Sequence, residues 1–205
     1  MLLLAYLAIA AASLCICLYK CNRRRYAVYL SMAALAGISG YFIEEANIAG
    51  GYWYWTEGVM FLGNTPVEMI LIYAMLGCIV SVLTIYLKEF LAAKHALMGR
   101  KSVLYEIPFG IFVLFLLYHF WSAASWPFLA ALLIGGLVFL KYRNPVIVIF
   151  GMFSAGVDFL FDTWLVLFGI LPVTYKIPYL FFFGSGVFFS GVSILLDDLF
   201  YGKKR

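Results

Sequence analysis

The sequence predicts an all-α integral membrane protein: a seven-transmembrane helix bundle with its N-terminus outside and its C-terminus in the cytoplasm. Three observations carry this. The 205 residues are 66% hydrophobic, 20% aromatic and only 12% charged, with a mean hydropathy of +1.02, too little polar surface for a soluble domain of this size. Seven windows approach the roughly 20 apolar residues that a span requires. The basic residues alternate between loops as a multi-pass topology demands.

The windows run Leu2–Leu18, Tyr26–Ile43, Pro66–Leu87, Val103–Phe120, Pro127–Leu140, Pro145–Leu167 and Pro178–Leu196, the fifth being short. The first has no basic residue before its apolar run, and Lys20, Arg23, Arg24 and Arg25 follow it. That polarity is expected of a retained anchor rather than a signal peptide. Placing the first loop in the cytoplasm puts 13 of the 14 basic residues inside and leaves only Lys176 outside. Removing any one span breaks the alternation. The net charge of +4 is thus topological and implies no nucleic acid.

The chain reads as one transmembrane domain over residues 1–205, with no separate soluble domain and a multi-pass location in the cell membrane. Any site must lie in the bundle or its short loops. The connection Lys88–Lys101 mixes Phe90, Leu91, Leu97 and Met98 with basic residues. It suits either an interfacial helix or a simple extension of the third span, with His95 a surface histidine. Cys15, Cys17, Cys21 and Cys78 lack metal-ligand spacing and read as soft packing residues. No metal and no cofactor are implied.

The second loop, Ala46–Thr65, is different in kind. It holds Gly50-Gly51, the run Tyr52-Trp53-Tyr54-Trp55, then Gly58 and Gly63-Asn64. Tyr and Trp favour a bilayer interface, so an aromatic belt is one reading. A re-entrant lid lining a cavity for a long apolar ligand is the other.

Five carboxylates fall in or beside the spans: Glu44, Glu45, Glu68, Asp158 and Asp162. A charge at bilayer depth costs roughly 2.5–3.5 kcal/mol on insertion scales, so each is a candidate functional residue. Asp158 and Asp162, four apart, share a helix face about 20 Å along their span from Pro145. Two carboxylates this close in low dielectric do not both ionise easily, and one is expected to hold a proton. That equips the pair for proton donation and removal; a shared cation or an unseen donor such as Lys176 or His119 are the alternatives. Glu44 and Glu45 point about 100° apart, so at most one should face the interior; Glu45 is assigned there and Glu44 to the interface. Thr65-Pro66-Val67-Glu68 fits a capping box, with Thr65 as N-cap and Glu68 reaching back. Glu106, Asp197 and Asp198 read as structural, at helix ends. P-loop, G-x-S-x-G, H-E-x-x-H and histidine-box patterns are absent, which argues against an ATPase, a serine hydrolase, a zinc protease and a di-iron desaturase.

Together, Glu45, Gly50-Gly51, Tyr52, Tyr54, Gly58, Gly63 and Pro66 resemble a pattern of the polytopic membrane carotenoid hydratases and lycopene cyclases. There an acid closes a helix, a glycine/aromatic loop follows and a Gly-x-x-Pro turn opens the next span. Pro66-Val67-Glu68 is similar to the cyclases' Pro-x-Glu element, and Asp158 to Asp162 to the paired-acid stretch of the hydratases. Gly184-Ser185-Gly186 stands where a second Pro-x-Glu would be expected. The resemblance implies cofactor-independent acid catalysis, a cyclisation or hydration, on a carotenoid or other isoprenoid lipid. Asp158, Asp162, Glu45 and Glu68 would be the catalytic carboxylates. Tyr52, Trp53, Tyr54, Trp55, His119 and Trp164 would bind the apolar substrate, aromatic faces stabilising a carbocation. Two other classes stay open: a small-solute or cation/proton-coupled transporter, and a structural subunit of a membrane complex. The expected partners are membrane lipid and an isoprenoid substrate, with a homo- or hetero-oligomer in the membrane also open.

Overall fold

Proline punctuates the chain and sets where one of its helices begins. Residues 2–49 and 67–93 contain none, while Pro66 stands immediately before a helix, where a missing N–H costs nothing. The computed structural model describes residues 2–49, 51, 54–55, 58–60, 63–93, 133–134, 136–141, 144, 146–153, 160, 167 and 179–202. Its helices are α1 (Leu2–Lys20), α2 (Tyr26–Ala49), α3 (Val67–Ala93) and α4 (Tyr179–Tyr201). Further helical turns occupy 136–141 and 146–153. Among the described residues no strand forms; an isolated bridge joins Met60 to Pro66.

These four helices coincide with four of the seven apolar windows and outrun them. α2 continues six residues past Ile43, through Glu44 and Glu45 to Ala49. Hydropathy ends where acids begin, whereas the backbone ladder persists while each N–H finds its carbonyl. Among the described residues, Arg23–Ala46 and Val67–Phe90, 24 residues each, are long and apolar enough to cross a bilayer. The window Val103–Phe120 and residues 94–101 of the basic connection lie outside the described residues, with His95.

Between α1 and α2 the chain turns tightly. The Asn22 side chain accepts the Arg24 N–H at 3.1 Å, capping a single 3₁₀ turn, Arg23–Arg25, that leads directly into α2.

α2 and α3 make the most intimate pair, and small residues let them. A Cβ at Gly77 would lie 2.7 Å from the Met32 carbonyl oxygen, and one at Gly40 would lie 2.9 Å from Tyr73 Cβ. Gly37 sits opposite Ala74, where a Cβ would come within 3.3 Å. Small residues let helix backbones approach closely, and dispersion then holds them. In an exposed helix Gly→Ala gains roughly 0.5–1 kcal/mol. At Gly77 the sign should reverse: Gly77→Ala is expected to lose about 1–3 kcal/mol by overpacking, read as a lowered midpoint in detergent melts.

Two clusters close the ends of this pair. At the loop end, Leu3 of α1, Trp55 of the loop, and Met69 and Ile72 of α3 are buried together. At the other end, Val28, Tyr29 and Met32 of α2 meet Cys78, Val82 and Ile85 of α3, with Phe189, Val192 and Leu196 of α4 packed against them. The four cysteines are free thiols, and Cys17, Cys21 and Cys78 contribute to this second cluster. Beyond it lies a charged clamp. Asp197, 5% exposed, meets Arg25 Nη1 at 2.7 Å and Lys88 Nζ at 2.9 Å, and the Arg25 guanidinium lies 4.5 Å from the centre of the Tyr201 ring. Asp197, read as structural from its place at a helix end, is held there by these two cations.

Candidate functional site

Of the five candidate carboxylates, the three that lie among the described residues, Glu44, Glu45 and Glu68, converge on one feature, the loop that joins α2 to α3. Glu44 is 2% exposed. Its Oε2 accepts the Trp55 indole N–H at 2.9 Å and its Oε1 accepts the Tyr73 hydroxyl. Glu45, half-buried, accepts the Asn64 N–H at 2.8 Å and the Thr65 hydroxyl at 2.6 Å, both through Oε1. Glu68 accepts the Val59 N–H with both oxygens, at 3.2 and 3.0 Å. Three acids from two helices thus hold four points of one loop.

This corrects the assignment of Glu45 to the interior and Glu44 to the interface. The close face of α2 carries Gly37 and Gly40 against α3, and Glu44 follows Gly40 by four residues on that same face. Glu45 is rotated off it, toward the chain entering α3.

The capping box is corrected too. The Thr65 hydroxyl turns to Glu45, and Glu68 reaches Val59 instead of the N-cap. The first helical bonds of α3 run from Met69 and Ile70 N–H to the Pro66 carbonyl, at 3.0 and 3.4 Å, so Pro66 takes the cap position. Val59 explains the change. Its carbonyl accepts the Val67 N–H at 2.8 Å, so the loop backbone itself fills the place a capping side chain would take.

Glycine makes two of these approaches feasible. Gly58 adopts φ +110°, and a Cβ there would lie 2.6 Å from Pro66 Cβ. A Cβ at Gly63 would lie 2.6 Å from Glu45 Oε2.

The aromatic run divides. Trp55 is 8% exposed and seated among Leu3, Met69 and Ile72, with Tyr6, Leu7, Ile48, Tyr73 and Leu76 around it. Tyr54 beside it is 53% exposed. Tyr52, Trp53, His119, Asp158, Asp162 and Trp164 lie outside the described residues. Among the described residues no three His, Cys, Asp or Glu side chains gather as metal ligands.

Sequence reasoning passed over Tyr73 and assigned Glu44 to the interface. The signal for both was present: Gly37, Gly40 and Glu44 fall three and four apart, and a buried tyrosine seeks a partner for its hydroxyl. Chemically, the centre holds one carboxyl fixed between a phenol and an indole, with apolar side chains on its flanks. Such a group can deliver or take a proton at a defined position.

No protein-family model, curated protein or solved structure matches the chain.

Proposed function

We propose that the chain is a multi-pass membrane enzyme, seven spans with the N-terminus outside, that performs acid/base chemistry on a carotenoid or other isoprenoid lipid. The observation that supports this reading is Glu44, a carboxyl buried to 2% exposure between the Trp55 indole and the Tyr73 hydroxyl. An intramembrane acid kept in an oriented, aromatic setting is a functional residue by default. In the proposed reaction a carboxylic acid protonates a polyene double bond, leaving a carbocation that neighbouring aromatic faces stabilise. A second double bond of the same chain attacks that cation, closing a ring and moving the positive charge onto its far carbon. Loss of an adjacent proton to a second carboxylate then restores an alkene and completes a cyclisation. Capture of water followed by loss of its proton completes a hydration instead. Glu44 takes the proton-donor role in this reading, Tyr73 orients it, and Asp158 with Asp162 supply the accepting carboxylates.

A second reading rests on how fully the acids are engaged. Each of Glu44, Glu45 and Glu68 already holds the loop, as a structural subunit of a membrane complex would require. Expression in a host that makes a coloured polyene separates the two. The enzyme reading expects a new, more polar or cyclised product, lost at least 100-fold in Glu44→Gln while the protein level in membranes is kept. Pigment that never differs from that of the empty host overturns it. A product unaffected by Glu44→Gln moves the acid role away from Glu44.

A further inference from the structure

The buried faces of α3 and α4 carry hydroxyl groups in a register that ends on charge. On α3, Thr84 follows Ser81 by three residues and Lys88 follows Thr84 by four; on α4, Ser190, Ser193 and Asp197 repeat that spacing. Residues three and four apart share a helix face. Lys88 Nζ donates to Asp197 Oδ2 at 2.9 Å, and Phe189, Val192 and Leu196 pack against the cluster holding Cys78, Val82 and Ile85. The two helices therefore run in the same direction, with matching levels along the seam.

Ser81, Thr84, Ser190 and Ser193 are all 0% exposed. The two on α4 are satisfied as donors. Ser190 donates to the Gly186 carbonyl at 2.7 Å, with the Ile147 carbonyl also within 3.3 Å, and Ser193 donates to the Phe189 carbonyl at 2.7 Å. The two on α3 differ: among the described residues, neither the Ser81 Oγ nor the Thr84 Oγ1 has a hydrogen-bond partner. A helical Ser or Thr commonly bonds back to the carbonyl one turn earlier, and these do not.

Buried orphan hydroxyls are rare in folded proteins because each forfeits its solvation. Two on one face, in line with a charged clamp, mark a place for a hydrogen-bonding occupant. It must be small, since Cys78, Val82 and Ile85 wall the same stretch of α3. It must also both donate and accept. A cation would meet Arg25 and Lys88, and an anion would meet Asp197. We propose that water binds along this α3–α4 seam, bridging the Ser81 and Thr84 hydroxyls toward the lone pairs of Ser193 and the Arg25–Lys88–Asp197 clamp. A buried water typically makes about three hydrogen bonds to groups of this kind. The seam gives the bundle a polar, solvent-connected stretch at the end remote from Glu44, whatever reaction occurs there.

Hydroxyl radicals made by X-ray radiolysis of water test this on the full chain in nanodiscs. Met32, 0% exposed, and Cys78, 5% exposed, are reactive reporters shielded from bulk solvent beside the seam. Both should be oxidised in the unaltered protein, and Ser81→Ala/Thr84→Val should lower that labelling several-fold. Thr84→Ser keeps the hydroxyl and should keep the labelling. The double variant should also melt a few degrees lower, whereas removing mere orphans would leave the melt unchanged or raise it. Unlabelled Met32 and Cys78 in the unaltered protein, labelling indifferent to the double variant, or a raised melting temperature overturns the proposal.

Discussion

Trp55→Ala is expected to destabilise the protein by about 3–5 kcal/mol, the range for removing a buried tryptophan. The indole is a loop residue set between α1 and α3 against Leu3, Met69 and Ile72, so its loss opens a void where three elements meet. It also strips Glu44 Oε2 of the indole N–H that it accepts at 2.9 Å. Trp55→Phe separates the two contributions. It keeps most of the ring and loses the donor, and should cost about 1–3 kcal/mol for the buried acceptor left short of a bond. Thermal or SDS-titration unfolding in detergent reads both. A Trp55→Ala protein within about 1 kcal/mol of the unaltered one would show that the loop is not seated on the helices.

The second large effect belongs to the opposite end. Asp197→Ala leaves Arg25 and Lys88 without the acid they share. Breaking a buried ion pair costs about 3–5 kcal/mol. The Arg25 and Lys88 side chains are 21% and 32% exposed, and solvent reaching them reduces the expected loss to about 2–3 kcal/mol. Lys88→Ala alone keeps the Arg25 contact and should cost about 1 kcal/mol. If both variants lose the same amount, Arg25 adds nothing and the clamp is a simple pair. The Arg25–Lys88–Asp197 set should also lose strength in high salt, more at its Lys88 arm than at Arg25, which Tyr201 covers.

The positions of α1 to α4 were readable because hydropathy and proline report directly on helices: Pro66 marks the start of α3 within one residue. The ends were less so, since Glu44 and Glu45 interrupt the apolar run but not the backbone ladder. Face assignment is where residue-level reasoning failed. Choosing between Glu44 and Glu45 needs the identity of the helix opposite, and that is fixed by Gly37, Gly40 and Gly77 in contact, a relation between segments. The Thr65–Glu68 box failed for a similar reason. A local motif competes with any nearby backbone donor, and Val59 N–H, nine residues from Glu68, is supplied by a fold-back that no spacing rule contains. The aromatic loop was recognised as unusual in kind, but only geometry could place Trp55 inside and Tyr54 outside.

The bonds that gather the loop also fix an order of assembly. Glu68 reaches Val59 across 9 residues, Glu44 reaches Trp55 across 11 and Tyr73 across 29, and Glu45 reaches Thr65 across 20. Contacts this local close quickly, because little chain entropy is lost in forming them. Lys88 and Asp197 are 109 residues apart and must wait for α4 to be synthesised. During translation, α2, its loop and the first turns of α3 therefore form a finished hairpin while the ribosome is still making the rest. The charged clamp is fastened last, onto a scaffold that is already rigid at its other end.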